Sequence, residues 1–241
     1  MKKREQEIES AFLARYSGAK TELKFRNLYE LTICVILSAQ CTDKRVNIVT
    51  PALFAKYPNV KSLANADISQ VKELIKSVSF FNNKAKNIIA MANGVMERFG
   101  GEIPLNAEDL KSLAGIGQKT ANVILLEFEG ANLMAVDTHV FRVSHRLGLS
   151  RAKTPKATER DLNAIFTQNR ANLHQAFVLF GRYICKALKP ECEKCFVSEF
   201  CEFKKLESKI TKPQKRKSQS TKNQKRRESK QNHKSKKPLK S

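Results

Sequence analysis

Apolar residues recur along most of the chain at the three- and four-residue spacing of amphipathic helices, and alternating strand patterns are absent. The segment 27–42, NLYELTICVILSAQCT, is apolar on nearly every side, which predicts a buried central helix. Further helices are predicted over about 84–99, 118–129 and 172–184. The pattern therefore predicts an all-α fold.

Residues suited to helix ends mark several of the predicted boundaries. Asp67 and Asp137 each precede an apolar periodic segment, so both are expected to act as N-caps. Gly115 and Gly117, in the stretch LAGIGQKTA, predict a tight turn between two helices. The N–H groups that open the second helix are then unpaired and can bind an anion such as a DNA phosphate. A simple helix–helix turn is the alternative that the glycines leave open.

The charge of the chain is strongly positive and unevenly distributed. Of the formal net charge of +22, residues 208–241 contribute +13, which leaves +9 for the rest of the chain. This balance favours a polyanionic partner, nucleic acid before an acidic membrane surface. Residues 207–241 are predicted to form a disordered basic tail, which adds either salt-sensitive affinity for nucleic acid or only solubility.

The first twenty residues lack the apolar segment of a secretory signal. No stretch approaches the roughly 20 apolar residues of a membrane span. We therefore expect no membrane partner and a cytoplasmic protein. Disulfides are disfavoured in that reducing compartment, so the six cysteines need another explanation.

Four of the six cysteines lie within seventeen residues, in CKALKPECEKCFVSEFC. Cys185, Cys192, Cys195 and Cys201 give the spacing C-x6-C-x2-C-x5-C. Thiols this close together suit a zinc ion or an iron–sulfur cluster. The spacing alone favours a [4Fe–4S] cluster only mildly over zinc.

Lys119 follows the glycine turn and lies in the first turn of the next predicted helix. The positive end of the helix dipole opposes a cation there, which favours the neutral amine. A neutral amine is a nucleophile. The plain alternative is a surface lysine that extends into solvent.

The stretch LAGIGQKTANV, followed by VDTHVFRV with Asp137 eighteen residues after Lys119, resembles the helix-hairpin-helix DNA glycosylases. The cysteine spacing is similar to that of the endonuclease III branch. ILSAQCTD and FFNNKAKNI also fit, so the resemblance covers nearly all of residues 1–205. Ala114 and Gln118 depart from the proline and the basic residue that are common in the hairpin.

This resemblance implies a bifunctional DNA glycosylase and abasic-site lyase. Such an enzyme flips out and removes oxidised pyrimidines through a lysine Schiff base, then nicks the strand 3′ to the abasic site by β-elimination. Lys119 matches the Schiff-base lysine, and Asp137 matches the catalytic carboxylate. Gln40 matches the residue that fills the gap left by the flipped base, and Phe80 matches the wedge between base pairs.

The resemblance also implies a cofactor and partners. The cofactor is a [4Fe–4S] cluster held by the four cysteines. Lys186 and Lys189, between the first two cysteines, are expected to contact DNA phosphates. The partner is double-stranded DNA that contains damaged bases or abasic sites, and the protein is expected to act as a monomer.

Two domains are expected on either side of a cleft for DNA and the lesion. Residues 1–20 together with 132–206 form the iron–sulfur cluster domain. Residues 21–131 form a six-helix domain, with the helix-hairpin-helix at about 107–129.

Two other functions stay open at this stage. An alkylpurine DNA glycosylase of the same fold differs in the shape of its base pocket, of which the sequence shows little. A non-catalytic DNA-binding module would use the same hairpin and cysteine loop. Adenine-removing relatives are disfavoured, because Ile36 stands where they place a carboxylate and Lys119 where they have no lysine.

Overall fold

The computed structural model describes residues 1–210, with side chains up to residue 206, and this range contains α-helices, two short 3₁₀ turns and no strand. The all-α prediction is therefore confirmed. The helices are α1 (Lys3–Arg15), α2 (Leu28–Ser38), α3 (Asp43–Lys56), α4 (Val60–Ala64), α5 (Ile68–Ile75), α6 (Phe81–Phe99), α7 (Ala107–Lys111), α8 (Gln118–Glu129), α9 (Thr138–Arg146), α10 (Pro155–Ile165), α11 (Arg170–Tyr183) and α12 (Glu202–Ile210).

Helix α2 lies at the centre of a first hydrophobic core. Every residue from Tyr29 to Leu37 is buried, as the apolar composition of this segment predicts. Helices α3, α6 and α8 pack on α2, and α4 and α5 pack on α6. The Tyr29 hydroxyl donates to the Tyr57 carbonyl at 2.8 Å, so the one buried phenol on α2 has a partner. This core positions the turn that carries Lys119.

A second core joins the amino-terminal helix to the carboxyl-terminal half of the chain. Phe12 of α1 lies 4.5 Å from Phe177, 5.1 Å from Phe180 and 5.0 Å from Phe196, measured between ring centroids. Such aromatic contacts each add about 0.5–1.5 kcal/mol to the energy of burial. We propose that the two cores correspond to the two domains predicted from the sequence.

The predicted caps form at the predicted residues. Asp67 accepts hydrogen bonds from the backbone N–H groups of Ser69 and Gln70 at the start of α5. Asp137 accepts from His139 and Val140 at the start of α9. Each carboxylate satisfies donors that the helix leaves unpaired, and it lies at the positive end of the helix dipole.

Helix α2 ends at Ser38, whereas the sequence pattern predicts helix as far as residue 42. The Nζ atom of Lys84, a buried lysine on α6, donates to the carbonyl oxygens of Leu37 at 2.8 Å and Ala39 at 2.5 Å. A side chain from a distant helix therefore satisfies the last carbonyls of α2. The chain then turns at Gln40, which has a φ of +53°.

Two other boundaries differ from the prediction. Residues 21–131 contain seven helices, one more than predicted, because Asn59 caps the short helix α4. Helix α12 continues to Ile210, so the first residues of the predicted tail are helical. The rest of that tail, with its predicted affinity for DNA, lies outside the described residues. No helix in the described range is long and apolar enough to cross a membrane.

Lys84→Met should destabilise the protein, because it leaves two carbonyls at the end of α2 without their donor. We expect the free energy of unfolding to fall by about 1–3 kcal/mol, as for other buried polar groups that lose a partner. Urea denaturation followed by circular dichroism measures this change. Lys86→Met, at an exposed position of the same helix, is the matched control. Equal stability of the two variants would contradict the capping role.

Candidate active site

A cavity of about 170 Å³ lies where residues of the two cores meet. It is lined by Lys119 at the start of α8, Asp137 at the start of α9 and Gln40 after α2. Side chains of α3 and α11 complete its wall. The structure therefore brings both predicted catalytic residues and the predicted gap-filling residue to one place, although they come from three separate segments.

The turn before α8 leaves the amino end of this helix open. Gly115 has a φ of +78°, and a Cβ atom there would lie 3.0 Å from the Cβ of Asn87, so a side chain is excluded. Gly117 is the N-cap and supplies no side-chain hydrogen bond. A Cβ at Gly117 would meet no atom within 4 Å. The amino end of α8 thus has no side-chain cap at Gly117 and open space beside it, which suits an anion site.

Lys119 is exposed and points from the first turn of α8 to the cavity that Asp137 also lines. Asp137 is partly buried, and its Oδ1 accepts both capping bonds, from His139 N and Val140 N, at 2.8 Å each. Oδ2 takes no part in the cap. One carboxylate can thus hold the helix with one oxygen and present the other to the cavity.

His174 of α11 is a buried member of the site that the sequence reasoning missed. Burial lowers the pKa of His174, Asp137 and a hydrogen bond to the Ala135 carbonyl raise it, and Lys119 lowers it again. The net pKa lies below the ordinary value, so the ring is neutral at neutral pH. Its Nδ1 has no hydrogen-bond partner. A single histidine among the mixed polar and apolar residues of α11 carries no local sequence signal of such a role.

An ion-pair network closes one side of the cavity. Arg182 of α11 donates to Asp43 Oδ2 of α3 at 2.9 Å and also pairs with Glu22. The Tyr183 hydroxyl donates to the same Glu22 carboxylate. These contacts join α11 to α3 and to the segment before α2. The sequence pattern gives no indication of them, because the partners are more than 130 residues apart.

Three predicted DNA-binding residues have a strained backbone. Gln40, Phe80 and Lys189 have φ values of +53°, +56° and +49°, and Asn169 is the fourth non-glycine residue with positive φ in the described chain. The left-handed region costs a residue with a side chain roughly 1–2 kcal/mol. Strain of this kind concentrates at functional sites. The observation supports the three predicted roles without testing them.

The structure separates the two neighbouring phenylalanines of the loop before α6. Phe80 is 63% exposed, whereas Phe81 packs against the first core. An exposed aromatic ring on a strained residue is suited to insertion between base pairs. Phe80 is therefore the available candidate for the predicted wedge.

The four clustered cysteines line one shared cavity together with apolar side chains, namely those of Phe180, Ile184, Pro190 and Phe203. Among the residues that the structure describes, no three His, Cys, Asp or Glu side chains are placed to hold one metal ion. These four thiols are the side chains that would hold an iron–sulfur cluster.

Two arginines of α9 brace the cysteine loop. Arg142 Nε donates to the Cys185 carbonyl at 2.9 Å, and Arg146 Nη1 donates to the Lys186 carbonyl at 2.7 Å. The sequence analysis did not single out either arginine, although their spacing of four residues places both on one helix face. They fix the loop to the same helix that Asp137 caps.

The two lysines of the loop differ in their surroundings. Lys186 Nζ donates to Glu191 Oε1 at 2.5 Å, so this lysine is already paired with a carboxylate. Lys189 is exposed. Of the two predicted phosphate contacts, Lys189 is the more accessible.

Comparison with known proteins agrees with this fold and site. Residues 33–168 match the family model of the HhH-GPD superfamily of base excision DNA repair proteins. Residues 185–201 match the iron-sulfur binding domain of endonuclease III. The class defined by the fold and the site is therefore a helix-hairpin-helix base excision repair protein.

The similarity to individual proteins is more specific. Endonuclease III of Rickettsia felis is 42% identical over 185 residues, which are 76% of this chain and 87% of that protein. A non-covalent endonuclease III–DNA complex superposes with a TM-score of 0.81 at 35% identity, covering 87% of this chain and 100% of that chain. A trapped covalent endonuclease III–DNA intermediate gives the same TM-score and identity, covering 86% and 100%.

This chain belongs to the endonuclease III family. It is a DNA glycosylase and abasic-site lyase of base excision repair, with DNA as its macromolecular partner. Its cysteine loop is an iron–sulfur binding domain. The sequence-based predictions of family, activity and cofactor are thus confirmed, whereas the roles of individual residues stay predictions.

The buried His174 should make folding sensitive to acid. In the unfolded chain the ring takes up a proton near pH 6.5, but in the fold its lowered pKa delays this uptake. The unfolded state therefore binds more protons below pH 6.5, and stability is lost as the pH falls. The unfolding free energy of the parent protein should fall on going from pH 7.5 to pH 5. In His174→Gln, which lacks this ring, we expect that fall to be about 1–2 kcal/mol smaller.

Urea denaturation of both proteins at the two pH values measures this difference. All other carboxylates and histidines titrate in both proteins, so their contribution cancels. Identical losses of stability would contradict a neutral buried His174.

Proposed function

We propose that Lys119 is the nucleophile that forms the Schiff base and that Asp137 is the carboxylate that assists it. The observation that carries the proposal is the convergence of Lys119, Asp137 and Gln40 on one cavity. An amine and a carboxylate on one cavity wall suit the displacement of a base from a sugar. A non-catalytic DNA-binding module would have no need for this pair.

The first step breaks the glycosidic bond. The damaged nucleotide swings out of the duplex, at a cost of a few kcal/mol, and its sugar enters the cavity. The neutral Lys119 amine attacks C1′, a C–N bond to the lysine forms, and the bond to the base breaks. The leaving base takes the electron pair of that bond and the proton that the attacking amine gives up. The Asp137 carboxylate stabilises the positive charge that develops on the sugar.

The second step cuts the strand. Opening of the sugar ring gives an iminium ion on Lys119, which acidifies the protons at C2′. Loss of one of these protons to a base expels the 3′ phosphate by β-elimination. Asp137 Oδ2 takes no part in the helix cap and can relay protons, while the neutral His174 adds no competing positive charge.

DNA binding uses the surface around the cavity mouth. The N–H groups at Gly117 and the start of α8 donate hydrogen bonds to a backbone phosphate, as Gly115 lets the turn approach closely. Phe80 wedges between base pairs, and Gln40 fills the gap that the flipped nucleotide leaves. Lys189 and Lys186 contact phosphates beside the cysteine loop. Lys186 first breaks its ion pair with Glu191 and then binds a phosphate instead.

The substrate that we propose is double-stranded DNA with an oxidised pyrimidine or an abasic site. We propose that the protein acts as a monomer. The proposed cellular location is the cytoplasm, on the nucleoid. None of the six cysteines is described as a disulfide, which suits a reducing compartment.

The four cysteines of the loop are the proposed ligands of a [4Fe–4S] cluster. The bound cluster supplies a cross-link that holds the loop, with Lys189 on it, in one conformation. Arg142 and Arg146 anchor that loop to α9. The chemistry at the sugar needs none of these groups.

Borohydride trapping on abasic-site DNA tests the nucleophile. The parent protein should form a covalent adduct, and Lys119→Ala should form none. Lys156→Ala, an exposed lysine on α10, is the matched control and should trap normally. Asp137→Asn keeps a capping side chain but should slow base removal by about 10²–10⁴-fold. An undiminished adduct with Lys119→Ala would exclude the proposed mechanism.

Iron analysis tests the cysteine ligands independently of activity. The purified protein should be brown and contain about four irons per chain. Cys201→Ala should lose both iron and colour, whereas Cys41→Ala, outside the loop, should keep them. Colourless protein with one zinc per chain would refute the assignment.

A further inference from the structure

Glu127 lines the catalytic cavity together with Lys119. The two residues are eight positions apart on α8, which is about 12 Å along the helix axis. Val123 lies between them, and all three side chains line the cavity. Helix α8 therefore presents both the proposed nucleophile and a carboxyl group to one cavity.

The Glu127 carboxyl group is held by donors from two other parts of the fold. Gln175 of α11 is only 7% exposed and donates its amide N–H to Glu127. The backbone N–H of Thr21 also donates to Glu127. Two acceptor positions of the carboxyl group are thus occupied by protein donors. A protonated carboxyl group would still have its O–H to offer to a molecule in the cavity.

The charge of Glu127 changes close to neutral pH. Burial raises the pKa of Glu127 to about 7, the bond from Thr21 lowers it, and Asp43 raises it. Below that pH the group is an O–H donor, and above it the group is an acceptor only. Charged or titratable groups from each surrounding element line the same cavity, and these are Glu22, Asp43, Lys119, Asp137, His174 and Arg182.

We propose that Glu127 determines specificity by donating a hydrogen bond to the carbonyl oxygen at position 4 of the flipped pyrimidine. This inference rests on the proposed function, because Lys119 must hold C1′ for the base to extend along α8 towards Glu127. Uracil- and thymine-derived bases carry a carbonyl at position 4. Cytosine-derived bases carry an amino group there, which opposes an O–H donor.

The proposal gives a pH-dependent preference between two lesions that differ only at position 4. The protonated Glu127 favours 5-hydroxyuracil, and the ionised form favours the amino group of 5-hydroxycytosine. A gained or lost hydrogen bond of about 1.4 kcal/mol changes a rate ratio by about tenfold. We expect the ratio of excision rates, 5-hydroxyuracil over 5-hydroxycytosine, to fall about tenfold or more from pH 6 to pH 8.5.

Single-turnover base excision from matched duplexes measures this ratio for the full-length protein. Glu127→Gln has no carboxyl group to ionise, so its ratio of excision rates should change with pH only through ionisation of the two substrates. That substrate effect is the same for the parent protein and cancels when the two proteins are compared. Glu127→Leu removes the donor and should lower 5-hydroxyuracil excision about tenfold at pH 6. Glu129→Gln, an exposed glutamate on the same helix, is the matched control and should behave as the parent protein.

Abasic-site DNA separates this proposal from a structural role and from the proposed mechanism. It has no base, so Glu127→Gln should cleave it within about twofold of the parent rate. Parallel pH profiles of the parent and Glu127→Gln would overturn the specificity role while leaving the Lys119 mechanism intact. An equal loss of abasic-site cleavage and base excision in Glu127→Gln would also overturn it, because Glu127 would then only support the fold.

Discussion

The site depends on how two apolar cores meet across a polar boundary. Lys119 belongs to helix α8 of the first core, whereas Asp137 begins α9 of the second. Hydrogen bonds and ion pairs cross this boundary, including Arg182 to Asp43 and Asn122 to Glu159. Because these contacts are polar and lie beside a cavity, a charged nucleic acid can enter there without exposing either core. These polar contacts help to hold the helices that carry the amine and the carboxylate beside each other.

Much of the fold follows from the sequence because its causes are local. The apolar run of α2 predicts a buried helix, and the carboxylates of Asp67 and Asp137 predict helix starts, since each acts within its own turn. The end of α2 is different. Lys84 satisfies carbonyls more than forty residues away, so no pattern near Ser38 reveals where the helix stops.

The residues of the candidate site also fall into two groups, those that local sequence motifs identify and those that only distant contacts reveal. Lys119, Asp137 and the cysteine loop lie in short motifs whose spacing carries meaning, so the resemblance identifies them. His174, Glu127 and Arg182 lie outside any recognisable short motif on α8 and α11, and only the packed structure brings them to the cavity. The resemblance leads to residues shared by a family, whereas tertiary structure is needed for the ones that shape this particular pocket.

The left-handed residues around the DNA-binding surface have a consequence for heat tolerance. Glycine would adopt the backbone of Phe80 or Gln40 without strain, so such a replacement would relieve part of the native-state energy. It would also remove the ring or the amide that duplex DNA is expected to meet. At these positions, selection for a more stable fold therefore opposes selection for lesion binding. The strained side chains persist only as long as repair activity is under selection.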